Sequence, residues 1–443
     1  MRKFYLFILF ISVILSCNNI DSTEPSPLNS FIRFYEGPYS LTARSIEKIP
    51  GGFVILATMV SGSVSDPVIQ TVLIETDEKG LRKGDFKYFN DIIGKSFKPI
   101  IKSGTVQGYI IVGDNIVINP LAEQAANVSI SAMETLILSP AFGEVDRIPL
   151  ADKKPISENH PVKDDYFGAS VTVSADGSRV YLLGTFKKGI INQQSAPEEQ
   201  LLFGLNTNLD SAWVKFYPLL GNTFLNSKSI HEQNGNIVWA SAIADIQGDF
   251  TSSYVAIPFV PENSFPVNYS MIGQNSSQLY LPKDIQPSST PEFGFGVTGT
   301  YSFNIDGSDG NIFFLQVDAQ GNVIPGSERF FDGVESIDGE LTDKNSSTVI
   351  DSGESLIATR DRGFVIVGTL TNASTKDKDM VIIKVNAFGD KQWIKTMGAS
   401  GDEVPVSIKE ADNGDLLICG TNTLGNYTTI FLMRTDSNGE LKN

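Results

Sequence analysis

The side chains that could do chemistry are few. The chain has two histidines, two cysteines and three tryptophans among 443 residues. His160 and His231 are far apart with no cysteine near either, so a histidine zinc site or a Ser-His-Asp triad has little to draw on. His231 abuts the Gln233-Asn234-Gly235-Asn236 turn. The run Asn304 to Gly310 (NIDGSDG) offers Asp306 and Asp309 as weak candidates for a metal. It lacks the distal Glu of a calcium loop, and a plain polar turn is the simpler reading. The pairs Asp164-Asp165 and Glu198-Glu199 are compatible with acid chemistry, but in loops of an acidic chain solvated charge is the default. No phosphate loop, GxSxG or dinucleotide fingerprint occurs. The expectation is therefore no catalytic residue and no cofactor.

The N-terminus carries more information. Arg2 and Lys3 precede an apolar run from Phe4 to Leu15, short of the roughly 20 residues a span needs but suited to a secretory signal. It ends in Ile14-Leu15-Ser16-Cys17, which resembles the lipobox of bacterial lipoproteins, although Leu15 stands where smaller residues are commoner. The resemblance implies a signal peptide over 1–16, acylation (palmitate-type chains) at Cys17, and a polar tether over 17–30. A single domain over 31–443 follows. Each buried CH₂ of an acyl chain contributes about 0.8 kcal/mol to anchoring. Asp21-Ser22-Thr23 resembles the tripeptide that Bacteroidota O-glycosylate on exported proteins, making Ser22 a possible glycan site. With Cys17 acylated, only Cys419 remains. It lies in the apolar run Leu416-Leu417-Ile418-Cys419 and reads as a small core residue. The formal charge of −17 argues against nucleic acid and against adsorption to an anionic bilayer.

The elements that must position these residues come from a repeat. Residues 363–369 (GFVIVGT) and 414–421 (GDLLICGT) match, and each leads to a second strand (from Met380 and Ile430) and a turn, AFGD or SNGE. Weaker copies are GFVILAT (52–58), GYIIVGD (108–114), SRVYLLGT (178–185), NIVWAS (236–241) and FGVTGT (295–300). Initial strands such as ASVTVS (169–174) and VSIKE (406–410), and closing aromatic strands such as DFKYF (85–89), WVKFY (213–217) and WIKTM (393–397), complete a four-stranded unit. Four strands at a period near 50 predict an all-β propeller of about seven blades. Trp213 and Trp393 occupy equivalent closing-strand positions and read as blade packing, and Trp239 reads as core.

The last copy stops without a closing strand, and residues 31–35 (FIRFY) look like a closing strand without a blade. Ile32-Arg33 aligns with Ile394-Lys395. The ring is therefore expected to close by pairing this N-terminal strand with the last blade, which removes two open edges. Gly363 to Gly368, Gly389 to Trp393 and Gly401-Asp402-Glu403 resemble the repeat of propeller lipoproteins and secreted proteins common in the Bacteroidota. That resemblance implies a fold and an outer-membrane location, and says little about activity.

In such a meander the turns after strands one and three share one face, and the connections after strands two and four share the other. The insertions at 114–132, 186–199, 242–251, 151–167, 271–291 and 332–353 all fall in the second class, so one face is expected to carry the long loops where binding usually resides. The functional expectation is a non-catalytic, lipid-anchored binding or scaffold module for an outer-membrane protein partner, on the periplasmic or cell-surface side. The alternative is a glycan-binding or carbohydrate-hydrolysing propeller with carboxylates near its axis.

Overall fold

A computed structural model describes residues 30–441, apart from 64–65, 119–128, 150–164, 188–197, 207–210, 218–221, 234, 245–252, 262–267, 274–277, 290–293, 303–308, 332–349, 373–374 and 399–400. Cys17, Ser22, His160, Asp164 and Asp306 lie outside the described residues.

A first strand, β1 (Phe31–Tyr35), is followed by six full meanders and one that lacks its own closing strand. The first is β2 (Ser40–Ile49), β3 (Gly52–Ser63), β4 (Asp66–Thr76) and β5 (Lys87–Asn90). The second is β6 (Ile93–Lys102), β7 (Thr105–Ile118), β8 (Ser129–Leu138) and β9 (Glu144–Pro149). The third is β10 (Asp165–Val173), β11 (Arg179–Lys187), β12 (Glu198–Asn206) and β13 (Ser211–Tyr217). The fourth is β14 (Asn222–Gln233), β15 (Asn236–Ala244), β16 (Ser253–Pro261) and β17 (Asn268–Ile272). The fifth is β18 (Leu279–Pro287), β19 (Phe295–Ser302), β20 (Asn311–Val317) and β21 (Arg329–Phe331). The sixth is β22 (Ser352–Ala358), β23 (Phe364–Thr371), β24 (Lys378–Val385) and β25 (Lys391–Met397). The last is β26 (Asp402–Glu410), β27 (Leu416–Leu424) and β28 (Tyr427–Thr435).

The molecule is a β-propeller. By hydrogen bonding its strands fall into six sheets rather than about seven, five of four strands and one of eight. The eight-stranded sheet is the fourth and fifth meanders joined by a single parallel pairing, Ser253 with Leu279. Each half remains a four-stranded antiparallel unit, so the ring carries seven such units. The innermost strands β2, β6, β10, β14, β18, β22 and β26 pack side by side, and β26 returns to β2. Seven apolar clusters fill the gaps between successive units. One joins Leu41, Ile55 and Val72 to Leu417, Cys419 and Leu432 across the closing seam.

The seam forms as the repeat predicts. β1 pairs antiparallel with β28, Ile32 opposite Met433 and Arg33 opposite Leu432. Ile394 and Lys395 face Ile383 and Ile382 in the same way. Trp393, opposite Lys384, is the counterpart of Phe31, opposite Arg434. Both aromatics roof a turn glycine of the next unit: Trp393 lies against Gly439, and Phe31 against Gly80. Trp213 takes the same strand position, opposite Gly204. Trp239 and Cys419 are fully buried core residues.

Three expectations need correction. The segment 271–291 is not an insertion, because it contains β17's end and all of β18, the innermost strand of the fifth unit. Pro282 and Pro287 hide it. An innermost strand has a free edge on the axis, so proline, which cannot donate to a ladder, is tolerated there. Part of 114–132 is likewise strand, with β7 and β8 paired out to Ile118 and Ser129. Asp165, Glu198 and Glu199 belong to paired strands rather than loops.

Candidate functional site: the axial ring

One local rule builds the centre of the propeller. In each innermost strand the ladder to its neighbour skips a residue at the same level. The skipped residues are Arg44, Lys95, Ala169, Lys283, Glu354 and Val406. In β14 the break is wider, from Asn226 to Ile230, and contains Lys228. Such bulges re-aim side chains and recur near binding sites. The opposing residue of the second strand must then be small. A Cβ on Gly184 would sit 2.6 Å from the carbonyl of Phe167, and Gly299 and Gly420 meet the carbonyls of Leu281 and Val404 still more closely. This close approach is why the repeat ends in Gly-Thr.

The residue after that glycine bridges to the next unit. Thr421 Oγ1 accepts the Ala43 N–H at 3.0 Å, and Asp114, at the matching place, accepts the Gly168 N–H at 2.6 Å. The position after each bulge is serine in six units, Ser45, Ser96, Ser170, Ser229, Ser355 and Ser407, and Asp284 in the fifth. Ser96 Oγ accepts the Val171 N–H at 3.3 Å, and Ser170 donates to the Lys228 carbonyl at 2.8 Å. Asp284 accepts from Ser229, from Ser355 at 2.7 Å and from the Leu356 N–H at 3.1 Å. The hydroxyls of Ser96, Ser170, Ser229 and Ser355 thus tie unit to unit around the axis, whereas the buried Ser45 Oγ has no partner among the described residues.

The charged positions vary, and they hold the chemistry. Deeper in the channel Glu47 receives Lys98 at 2.6 Å and Lys409 at 3.1 Å. Burial alone would raise the Glu47 pKa, but Lys409 and Lys98 outweigh it and hold it below its ordinary value. Lys98 is itself lowered, by burial first and with Glu47 opposing. His231 stands two residues past Ser229. Its Nε2–H donates to the Ile285 carbonyl at 2.8 Å, and its pKa is pushed down to about 3, chiefly by burial and next by Lys98. It is therefore a neutral imidazole facing the axis, two residues before the turn that the sequence places beside it.

Nearer the face where second strands end, Lys228 reaches Glu354 at 2.9 Å and the Val406 carbonyl at 3.5 Å. Lys95 pairs with Asp114 at 3.4 Å. Glu354 is lowered because Lys228 and Lys283 outweigh its burial; Asp114 is raised by burial, with Lys95 opposing. Arg44 donates through Nε to Thr58 at 3.0 Å and has no ion pair within 4 Å among the described residues. A cleft of about 690 Å³ opens here, lined by Arg44, Lys95, Lys228, Asp114 and Glu354 with Phe167, Val404 and Val406 placed between the charges around the ring. That volume is in the range of small-ligand sites.

The axis inverts the charge of the whole. The six cations Arg44, Lys95, Lys98, Lys228, Lys283 and Lys409 face the four carboxylates Glu47, Asp114, Asp284 and Glu354, in a chain of formal charge −17. Asp309, the described half of the weak metal candidate, accepts a hydrogen bond from Ser302 at 2.7 Å. Among the described residues no cluster of three or more metal-ligating side chains occurs, and no helix is long and apolar enough to cross a membrane.

In the sequence the axial ring is marked only by the repeated Ser-apolar step of Ser45-Ile46, Ser96-Phe97, Ser170-Val171, Ser229-Ile230 and Ser407-Ile408, a signal too short to be recognised without the fold. No family model and no curated protein matches the chain. Among solved structures it is similar to the β-propeller domain of the Trilobed protease from Pyrococcus furiosus (9% identity, 91% of this chain and 96% of that one, TM-score 0.42). It is also similar to Pyrococcus horikoshii acylaminoacyl peptidase (10% identity, 90% of this chain, TM-score 0.45). A third is the Trypanosoma rangeli sialidase (11% identity, 89% of this chain, TM-score 0.43). The chain spans 52% and 54% of the last two. At these identities the likeness is one of fold.

Proposed function

We propose that this protein is a lipid-anchored envelope protein, held at the outer membrane through Cys17, that works by binding rather than catalysis. In this reading it presents the face bearing its long connections to an outer-membrane partner. The observation that supports binding is the state of the axial carboxylates. Glu47 is shared by two lysines, Glu354 takes Lys228 and the Ser352 hydroxyl, and Asp284 is filled by two serines and a backbone N–H. A hydrolytic acid needs a carboxyl with a raised pKa near a second, separately tuned one. Glu47 and Glu354 are instead held low. Asp114 is raised, but it is tied to Lys95 and to the Gly168 N–H.

The test is affinity recovery of the full chain from membranes solubilised in several mild detergents, beside a Cys17→Ala control. A stoichiometric membrane-protein partner is expected. Absence of any partner in all detergents, or hydrolysis of a glycan or peptide substrate that disappears in Glu354→Gln, overturns the reading. Protease shaving of intact cells then distinguishes surface from periplasmic display.

A further inference from the structure

We infer that the axial mouth is a binding site for a small organic anion that has an apolar portion. The inference deepens the binding reading above and rests on it. Three observations carry it. First, the bulges aim Arg44, Lys95 and Lys228 into one cleft, in a protein whose overall charge would repel an anion. A cationic mouth in an acidic body focuses an anion at the axis.

Second, these cations are held but not exhausted. Lys95 and Lys228 are positioned by Asp114 and Glu354, and each ammonium carries three donors. Arg44 is fixed at Nε by Thr58, leaving both terminal nitrogens of its fork without a hydrogen-bond partner among the described residues. That is the geometry by which a guanidinium takes an oxyanion through two parallel bonds.

Third, the mouth also carries apolar surface. Phe167, Val404 and Val406 line the same cleft between the charged residues, so a ligand bearing only charge would leave those side chains wet. The shared chemistry is a carboxylate or phosphate joined to an apolar group.

Isothermal titration of the full chain at low ionic strength tests this, with phenylacetate and phenyl phosphate as probes. Acetate, inorganic phosphate and benzyl alcohol serve as fragments. Saturable one-to-one binding of at least one aromatic anion is expected, at least tenfold tighter than its bare anion and than the alcohol. The tighter of the two identifies the headgroup. Arg44→Gln should weaken it at least tenfold.

Ala169→Glu is the second variant. Ala169 lines the mouth and is partly exposed, although it also packs against the cluster of Leu183 and Ile230; the added carboxylate occupies the cations. It too should weaken binding at least tenfold in a chain whose circular dichroism still reports the folded propeller. Binding of neither aromatic anion, equal binding of benzyl alcohol, or affinity unchanged in Ala169→Glu overturns the proposal. A chain that captures a membrane partner but neither anion overturns this inference and leaves the scaffold reading standing. A chain that binds the anion but captures no partner does the reverse.

Discussion

The interblade cores and the axial ring are supplied by the same seven units, the cores by their middle strands and the ring by their innermost ones, yet they repeat differently. In the cores each unit supplies the same kind of residue: Ile55, Ile111, Leu183, Trp239, Phe313, Ile366 and Ile418 are all large and fully buried. On the axis the hydroxyl-or-carboxyl step repeats, while the bulged residue runs Arg44, Lys95, Ala169, Lys228, Lys283, Glu354, Val406. The constant positions close backbone gaps and join units. The varied ones make no such demand, and their sum gives the centre a sign opposite to the surface. Geometry is carried by what repeats, and recognition by what does not.

The contrast can be broken first at its constant side. Removing residues 31–35 uncovers the edge of β28 and takes away buried Tyr35, whose hydroxyl donates to the Gly80 carbonyl at 2.7 Å. Loss of a buried aromatic alone costs about 3–5 kcal/mol, and the open edge adds a route to aggregation. Thermal unfolding by circular dichroism should show a midpoint lower by about 3–6 °C from the lost aromatic alone. A variant that melts within a degree or two of the full chain would mean the seam contributes nothing to closure.

Gly299→Val is the next largest change. Its Cβ would collide with the Leu281 carbonyl at the bulge, and overpacking of this kind costs about 1–3 kcal/mol. Urea unfolding should show a lower midpoint at an unchanged slope. The same substitution at Ala57, which already carries a Cβ opposite Ala43, should cost less. Equal costs would separate the Gly-Thr ending from the bulge.

These differences also explain what could be read from the chain beforehand. The blades were legible because a bulge forces a small residue at a fixed place in an apolar strand, as in GFVIVGT and GDLLICGT, and because FIRFY repeats the closing strand. Burial of Cys419 and Trp239 followed from their apolar runs. The axial site was not legible, for two physical reasons. Innermost strands are edges lined with alternating polar residues, so β18, with Pro282 and Pro287, has no hydrophobic period. And Glu47, Lys98 and Lys409 meet only because ring closure brings the last unit beside the first, a juxtaposition no local spacing encodes. His231 stood beside a turn in sequence, and the turn said nothing of the axis on its other side.

On the varied side, Glu47→Gln leaves Lys98 and Lys409 facing each other without a carboxylate. Breaking a fully buried pair costs about 3–5 kcal/mol; these lysine side chains keep about a quarter of their surface exposed, so a loss of about 1–2 kcal/mol is expected. The double change Glu47→Gln, Lys98→Gln should recover part of it. Calorimetric midpoints that fall equally in single and double variants would show that the lysines do not repel one another.

The smallest effect is a slope. In the folded protein His231 protonates only near pH 3, against about 6.5 in an unfolded chain. Between those values the unfolded state binds the extra proton, so stability falls as pH drops below about 6.5, by at most about 1.4 kcal/mol per unit. Glu47 and Glu354, held low by their lysines, add their own loss only once pH falls through the ordinary carboxylate range. Asp114 and Glu134, raised by burial, act in the opposite sense, so the imidazole is read as the difference between the parent chain and His231→Gln from about pH 6.5 to about 5. His231→Gln should flatten the stability profile there while keeping a donor for the Ile285 carbonyl. An unchanged slope would place the proton elsewhere and remove His231 from the neutral part of the axis.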